Sequence, residues 1–416
     1  MFKDLLQKIE DAQWFTPERI RNIQYSEFQQ LLKHHKEQSP WYKKLMEGKQ
    51  RVPIINKQDI QSAGDDFFSP LIPQAHLPTS SVKTSGSTGE PLEVRTTILT
   101  SMFFSAYTLR EYVWYKRHLE NNLKLSAVRA NIYEYTEQDT WGSIVSKFFK
   151  TGRMQAMPLT TDIREQSRVM TEFQPNIILT YPNNLRALCE LWRDNFPLTE
   201  LRYVRTMGET CTDSLRELVR EVIGVEIVDL YSSQEIGAIA IQCPESGLYH
   251  TMDENLIVEI LDDNDNECLE GESGRVVITD LHNYASPIIR YQIGDYAVRG
   301  PKCSCGRGLK TISHILGRYR NLLLHPDGRK NWPIVGFYKF MKVTKVRRFQ
   351  FIQVDLHNIE LRIATDHEMT DEERTKFTEI GNEFMGEEFN VNVVHYLGDL
   401  PPNSNGKYED FISYIQ

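Results

Sequence analysis

The spacing of apolar and polar positions changes twice along the chain. Over residues 1–50, charged and apolar positions alternate with the period of amphipathic helices, and an irregular stretch from Val52 to about residue 80 follows. Short apolar runs typical of buried strands then alternate with helical segments, which predicts layered α/β structure. The predicted helices lie at 98–118, 138–150 and 163–173, and the predicted strands at 124–130, 177–179, 203–206 and 225–230.

From about residue 256 the pattern becomes that of strands joined by hairpin-like turns. The runs LIVEILDD, GRVVITDL, IIRYQIGD and YAVRG predict a β-rich subdomain. After Gly317-Arg318, strands at 349–355, 359–365 and 391–398 flank a helix at 371–385, which predicts a small α+β domain. We therefore expect an α/β protein with an N-terminal domain, 1–317, that includes the β-rich subdomain, and a C-terminal domain, 318–416.

Composition and charge exclude several classes of protein. The chain has 416 residues, of which 40% are hydrophobic and 25% charged, the balance of a soluble globular protein. A formal net charge of −9 argues against nucleic acid and anionic membranes as partners. The sequence contains no apolar run of the ~20 residues that span a bilayer, and the charged N-terminus does not resemble a signal peptide. These features predict a cytoplasmic protein.

Four of the residues that bind soft metals lie in two Gly- and Pro-rich turns. Cys243 precedes His250 by seven positions, and Cys303 and Cys305 follow some fifty residues later. Three sulfurs and one imidazole would form a closed, structural zinc site. The usual spacing of two residues between paired cysteines is absent, so unrelated buried thiols are the alternative.

The segment 84–91, TSGSTGEP, combines hydroxyl groups with glycines. Glycine lets backbone N–H groups approach an anion closely, and the hydroxyls add donors, so the loop is suited to binding phosphate. It is neither a Walker A loop nor a dinucleotide fingerprint, and a flexible linker is the alternative. The candidate residues are Thr84, Ser85, Gly86, Ser87, Thr88 and Gly89.

Three further motifs follow this loop in the chain. They are Asp229–Glu235 (DLYSSQE), then Arg290–Asp295 (RYQIGD) with Gly317-Arg318, and Pro402–Lys407 (PNSNGK). In this order and spacing, the four motifs resemble those of the adenylate-forming superfamily, and most closely its phenylacetate–CoA ligase branch. The resemblance implies a large adenylate-forming domain with layered sheets and helices and a small mobile C-terminal domain.

The resemblance also implies a role for individual residues. Tyr231 would stack on adenine, Glu235 would hold Mg²⁺, and Asp295 would accept hydrogen bonds from the ribose hydroxyls. Arg318 would reach ribose or phosphate, and Lys407 would enter the site for adenylation. The remaining nucleotide-binding candidates are Gly208, Glu209, Asp229 and Ser232. Cys243, His250, Cys303 and Cys305 stand where several relatives in this branch carry structural zinc.

Some positions depart from the family pattern, and the acyl pocket is marked only by aromatic residues and one methionine. Glu90, Gln234 and Arg320 replace a usual lysine, hydroxyl residue and acid. Pocket candidates, with core packing as the alternative, are Tyr133, Tyr135, Trp141, Tyr181 and Met207. The glycine-rich run usual near 131–142 is missing, which leaves the acceptor open.

The implied function is ATP- and Mg²⁺-dependent activation of a carboxylic acid, aryl or small acyl, as acyl-AMP. Transfer to the thiol of coenzyme A would follow. A carrier-protein thiol or an amine is the alternative acceptor, and a non-catalytic nucleotide-binding protein is the alternative from another class. The family also predicts a possible homodimer.

Overall fold

Packing divides the chain into two units, each of which is described by itself. The computed structural model describes residues 2–83, 92–116, 122–142, 145–147, 150–318, 321–333, 337–401 and 409–415. The first unit comprises Met1–Pro182, Pro197–Cys211 and Val225–Leu316. The second comprises Asn183–Phe196, Thr212–Gly224 and Gly317–Gln416.

Helices form the N-terminal part of the first unit, as the amphipathic spacing predicts. They are α1 (Phe2–Ala12), α2 (Pro17–Gln38), α3 (Pro40–Met46) and α4 (Lys57–Ala63). Helix α2 begins where the Thr16 hydroxyl accepts from the Arg19 N–H and Pro17 presets the backbone angle. Helix α4 falls in the stretch expected to be irregular, where Asn56 and Asp59 form a capping box.

A two-stranded hairpin and a long helix follow. Strands β1 (Thr79–Lys83) and β2 (Glu93–Thr97) pair antiparallel, and α5 (Ile98–Trp114) lies within the predicted helix at 98–118. The helix α6 (Ile163–Phe173) has the predicted bounds. Two further helices, which the sequence did not predict, are α7 (Pro182–Trp192) and α8 (Asp213–Val222); apart from Pro182, they belong to the second unit.

One large sheet organises the first unit, and its described part has twelve strands in the order β11-β12-β13-β14-β10-β9-β8-β7-β6-β3-β5-β4. Strands β5, β3, β6, β7 and β8 run parallel, and antiparallel pairing begins between β8 and β9. The strands are β3 (Leu125–Arg129), β4 (Thr136–Gln138), β5 (Met154–Pro158), β6 (Ile177–Thr180), β7 (Tyr203–Met207), β8 (Ile227–Ser233), β9 (Gly237–Gln242), β10 (Tyr249–Thr251), β11 (Leu256–Leu261), β12 (Ser273–Asp280), β13 (Tyr291–Arg299) and β14 (Thr311–Arg318).

The structure corrects two local predictions. The strands expected to form a β-rich subdomain continue the main sheet, because β9 pairs with β8, and IIRYQIGD and YAVRG merge into the single strand β13. The helix predicted at 138–150 is wrong. Gln138 is the last residue of the edge strand β4, a 3₁₀ turn lies at Val145–Lys147, and Gly142 has φ +122°, which a right-handed helix does not accept.

The second unit contains a hairpin, a four-stranded sheet and helices. The sheet has the order β19-β18-β17-β20, with β17–β18 antiparallel and the outer pairs parallel. Phe340, Phe351 and Phe377 are fully buried in its core. The elements are β15 (Leu323–Leu324), β16 (Lys330–Asn331), α9 (Phe337–Met341), β17 (Val346–Gln353), β18 (Asn358–Thr365), α10 (Asp371–Met385), β19 (Asn390–Leu397) and β20 (Phe411–Ser413).

The mixed α/β class is therefore confirmed. Helix α10 has the predicted bounds, and a capping box of Thr370 and Glu373 fixes where it begins. Among the described residues, no helix is both long and apolar enough to cross a bilayer.

The core of the first unit contains a fully buried charge. The Arg110 side chain on α5 is 0% exposed and donates to both carboxylate oxygens of Glu254 at 2.8 and 3.1 Å. Its Nε donates to Glu10 at 3.2 Å, and it also contacts the Ile9 carbonyl on α1. A buried guanidinium is tolerated only when its donors are satisfied, so this cluster fixes α1 against α5.

We expect Arg110→Met to lower the free energy of unfolding by about 3–5 kcal/mol, because the Glu254 side chain, 7% exposed, would remain buried without its cation. The control is Arg168→Met on α6, which also removes an arginine held by two glutamates, Glu165 and Glu172, but at the surface. Urea unfolding should show a large loss for the first variant and almost none for the second. Equal losses would contradict the assignment of the buried cluster as a stabilising contact.

Candidate functional site

Several of the predicted nucleotide residues lie at the carboxyl ends of two neighbouring strands. Gly208, with φ +74°, and Glu209 follow β7, and Tyr231 and Ser232 lie among the last three residues of β8. Glu235 lies in the turn from β8 to β9 and is 9% exposed. Since β7 and β8 are parallel, these residues share one edge of the sheet, which is where α/β proteins bind ligands.

Tyr231 and Asp295 are brought together although 64 positions separate them in the chain. The Tyr231 hydroxyl donates to Oδ2 of Asp295 at 2.8 Å, and the residues are 7% and 8% exposed. A hydrogen bond to an ionised carboxylate is stronger than a neutral one and holds the acceptor in a fixed orientation. The arrangement thus places an aromatic ring beside an oriented carboxylate.

The Asp229 carboxylate on β8 links strands β7 and β10 of the main sheet. It is 4% exposed; Oδ1 accepts from the Thr206 hydroxyl at 2.6 Å, and Oδ2 accepts from the Tyr249 hydroxyl at 2.8 Å. Both oxygens are therefore engaged by residues of β7 and β10, and the nucleotide contact expected of Asp229 stays a prediction. Sequence reasoning missed Thr206 and Tyr249, although an aspartate within the apolar run VDLY indicates that such partners must exist.

Arg290, the first residue of the third motif, has a structural role. Arg290 has φ +49°, and its guanidinium donates to both oxygens of Glu259 at 3.1 Å and to the Val52 carbonyl at 3.1 Å. Arg318, at the end of β14, donates its backbone N–H to the Asn321 side chain at 3.0 Å. Lys407 and the loop from Thr84 to Gly89, with Glu90, lie outside the described residues, as does Arg320.

Two of the aromatic and sulfur-bearing pocket candidates meet at the same sheet edge. Tyr181, 7% exposed, follows β6 and accepts from the Ala130 N–H at 3.3 Å. Met207 ends β7, next to it, and packs against a cluster that includes Leu179. The pair remains a prediction for the acid pocket, and its position at the carboxyl edge agrees with that role.

The other candidates are not brought to that pair. Trp141 donates its indole N–H to the Leu123 carbonyl at 2.8 Å, which places it before β3, toward the amino ends of the parallel strands. Tyr135 precedes the edge strand β4 and is 50% exposed, and Tyr133 is 86% exposed. Strand β4 is four strands from β7, about 19 Å across the sheet at ~4.8 Å a strand.

Cys243, His250, Cys303 and Cys305 converge, and their candidate ligand atoms all lie within 4.8 Å of one another. Cys243 closes the hairpin from β9 to β10, and its N–H donates to the Leu248 carbonyl at 2.7 Å. The other two cysteines lie in the loop between β13 and β14. The Sγ atoms of Cys243 and Cys303 are 3.9 Å apart, and His250 Nε2 lies 3.2 Å from Cys305 Sγ.

The cluster has the chemistry of a closed metal site. Metal–sulfur bonds of about 2.3 Å in a tetrahedron place sulfurs about 3.8 Å apart, close to the observed spacing. Burial raises the pKa of Cys243, but hydrogen bonds from His250 and from the backbone of Glu245 and Ser246 outweigh it and bring the pKa to about 7. The thiolate, which is the ligating form, is thereby favoured.

The N-terminal segment closes over the cysteine loop. Gln13 Oε1 accepts from Arg307 Nε and from the Trp114 indole, each at 2.9 Å, and the Gln13 carbonyl accepts from the Gly308 N–H. A Cβ at Gly308 would stand 1.8 Å from the Phe15 carbonyl oxygen, so this position requires glycine. These contacts were not predicted, since no motif marks residues 13–15.

Comparison with known proteins finds one matching family model and several similar proteins of known activity. A family model described as the CapK C-terminal domain matches residues 332–413. A phenylacetate–coenzyme A ligase of Thermus thermophilus is 25% identical over 335 residues, which cover 74% of this chain and 72% of that protein. One from Escherichia coli K12 is 21% identical over 76% of this chain and 75% of the relative.

Solved structures share the fold. A crystal structure of 2-hydroxyisobutyryl-CoA ligase with R3-HIB-AMP matches with a TM-score of 0.73 at 16% identity, over 97% of this chain and 91% of that one. The anthranilate CoA ligase AuaEII with anthranoyl-AMP matches with 0.57 at 15% identity, over 79% and 64%. The chain thus has the fold of the adenylate-forming ligases. The predicted resemblance to phenylacetate–coenzyme A ligases is confirmed by these relatives.

We expect Thr206→Val to destabilise the protein by about 1–3 kcal/mol, because Oδ1 of the buried Asp229 would lose the Thr206 donor at nearly unchanged side-chain volume. The control is Thr108→Val on the exposed face of α5, whose hydroxyl bonds only its own helix. Denaturant titration of both variants measures the difference. A loss no larger at Thr206 than at Thr108 would remove the structural role assigned to the Asp229 carboxylate.

Proposed function

We propose that this protein is an AMP-forming acid–thiol ligase, which activates a carboxylic acid with ATP and passes the acyl group to coenzyme A. The observation that carries the proposal is the Tyr231–Asp295 pair at the carboxyl edge of the sheet, in a chain whose relatives are phenylacetate–coenzyme A ligases. An aryl or small acyl acid is the substrate class that we assign.

In the first half-reaction, a carboxylate oxygen of the acid attacks the α-phosphorus of ATP. The bond from that phosphorus to its bridging oxygen breaks, and pyrophosphate leaves with the electron pair. We assign the adenine contact to the Tyr231 ring and the ribose hydroxyls to Asp295, whose carboxylate the Tyr231 hydroxyl already orients. The hydroxyl-rich loop from Thr84 to Gly89 would bind the phosphates, and Lys407 would balance the developing charge.

Glu235 is the residue that we assign to Mg²⁺. It lies four positions beyond Tyr231, at the same edge, and a carboxylate is a ligand that this hard cation prefers. Bound there, Mg²⁺ would neutralise phosphate charge, which ordinarily assists departure of pyrophosphate.

In the second half-reaction, the coenzyme A sulfur, as thiolate, attacks the carbonyl carbon of the acyl-AMP. A carbon–sulfur bond forms, the carbon–oxygen bond to AMP breaks, and AMP leaves as the anion. We assign the acyl group to the side of Tyr181 and Met207, where apolar surface meets the sheet edge. Residues 1–317 would act as the adenylation domain and 318–416 as its C-terminal lid, in the cytoplasm, where thiols stay reduced.

The direct test is ATP–pyrophosphate exchange across a panel of aryl and short acyl acids, with no thiol or amine present. We expect exchange with a subset of acids, and its loss by at least about a hundredfold in Lys407→Ala, because one cation at the α-phosphate is removed. Lys345→Ala, an exposed lysine of the same C-terminal segment, should retain the exchange rate.

Undiminished exchange in Lys407→Ala would refute the role of that lysine. Silence over the whole panel in protein that binds ATP would support a nucleotide-binding protein without catalysis. Free AMP formed with coenzyme A supports the acid–thiol ligase, whereas AMP formed only with an amine or a holo-carrier protein would replace the acceptor.

We also propose a structural zinc ion held by Cys243, His250, Cys303 and Cys305. The support is the largely buried set of three sulfurs and one imidazole, whose ligand atoms lie within 4.8 Å of one another; four such ligands fill a tetrahedral zinc site and leave no position for substrate. Its contribution would be to hold the hairpin from β9 to β10 against the loop before β14.

Elemental analysis of the purified protein is expected to return one zinc per chain. The Cys303→Ser variant should lose it and unfold at a lower temperature, because metal binding contributes directly to folding free energy. Cys189→Ser, at a buried cysteine outside the cluster, should keep its zinc. Protein free of any metal, or equal zinc content in both variants, would refute the site.

A further inference from the structure

A row of polar side chains crosses the middle of the main sheet. In register, Thr206 on β7 faces Asp229 on β8, and Gln242 on β9 faces Tyr249 on β10; the Asp229 N–H donates to the Gln242 side chain. Residues directly paired across strands lie on the same face of a sheet. The row therefore joins four strands on one side, at the boundary between the parallel and antiparallel halves.

The hydrogen bonds of this row converge on Asp229. Its two carboxylate oxygens accept from Thr206 and Tyr249 at 2.6 and 2.8 Å, and its N–H donates to the Gln242 side chain at 3.2 Å. The Tyr249 hydroxyl thus reaches over β9 to a strand with which β10 does not pair. Because Asp229 is 4% exposed, water is not at hand to replace a lost donor.

The two ends of this connection lie in different sites. Two positions after Asp229, Tyr231 donates to Asp295 at 2.8 Å, which is the pair assigned to the nucleoside. One position after Tyr249, His250 places its Nε2 3.2 Å from Cys305 Sγ. Strand β10 has only three residues, so holding His250 also fixes the register of Tyr249.

We propose that Tyr249 is a positioning residue that connects the cysteine–histidine cluster to the nucleotide site. Its hydroxyl fixes the Asp229 carboxylate and, through it, the end of β8 that carries Tyr231. The cluster fixes the position of β10 along its neighbouring strands, so that the Tyr249 hydroxyl reaches the Asp229 carboxylate. This inference deepens the proposed function and rests on it for the nucleotide, but the anchoring of β8 is independent of any ligand.

The first measurement is the Kd for ATP, by calorimetry, in Tyr249→Phe. We expect the Kd to rise about tenfold, because a donor to a buried carboxylate is lost while the ring remains. The matched control is Tyr115→Phe, which removes a phenol hydrogen bond of 2.9 Å to the backbone carbonyl of Gln242 on β9, rather than one to the Asp229 carboxylate. The control should stay within about twofold of the unsubstituted protein.

The second measurement needs no nucleotide. Hydrogen exchange by mass spectrometry should show faster exchange in the peptide that contains 227–233 in Tyr249→Phe, and unchanged exchange there in Tyr115→Phe. If the unsubstituted protein bound no ATP, the proposed function would fail, and this measurement alone would decide whether Tyr249 anchors β8.

The connection to the cluster is tested by combining Tyr249→Phe with Cys305→Ser. Because both changes would act through the same hydrogen bond, their effects on exchange in 227–233 should be less than additive. Additive effects would show that the cluster and Tyr249 act separately and would overturn the connection. Unchanged exchange and unchanged Kd in Tyr249→Phe would overturn the positioning role itself.

Discussion

The change from parallel to antiparallel pairing at β8 and β9 is the constraint on which the arrangement of the first unit depends. Two consecutive parallel strands must be joined by a long crossover connection. Strand β8 is instead joined to its antiparallel neighbour β9 by the short turn at 234–236. That turn keeps Glu235 at the carboxyl edge, beside the ends of β7 and β8. It also aligns β10, β13 and β14 with the same sheet, so that Asp295 and the cysteine–histidine cluster belong to one hydrogen-bonded framework.

Buried charges in this framework are satisfied by residues distant in sequence. Arg110 is held by Glu10 and Glu254, and Asp229 by Thr206 and Tyr249. A buried charge without its partners costs several kcal/mol, so each cluster is compatible with one packing of its elements and disfavours others. Polar residues at the centre of the sheet thus specify alignment, whereas the apolar residues around them supply the driving force for burial.

What the sequence could predict depends on how local each signal is. The bounds of α6 and α10 follow from caps and apolar spacing within a dozen residues, and both agree with the structure. The motif residues after β7 and β8 could be located because strand ends are local features. The partners Thr206 and Tyr249 could not be assigned, since strand order and register decide them. The predicted 138–150 helix is wrong because Gln138 still pairs with Met154 of β5 and Gly142 has φ +122°. Neither the strand partner nor this backbone angle could be derived from the spacing of apolar residues.

The close packing at Gly308 restricts which residues and backbone positions the N-terminal segment can have. The Phe15 carbonyl oxygen lies so close to the Gly308 Cα that no side chain would fit at position 308. Nearby, the Gln13 side chain accepts hydrogen bonds from both Arg307 and Trp114. No predicted functional residue lies in α1 or α2. The backbone between these helices nevertheless packs directly against the loop that carries Cys303 and Cys305. Sequence drift at residues 13–15 and at 306–308 should therefore be correlated, so a survey of relatives ought to find these two segments changing together or not at all.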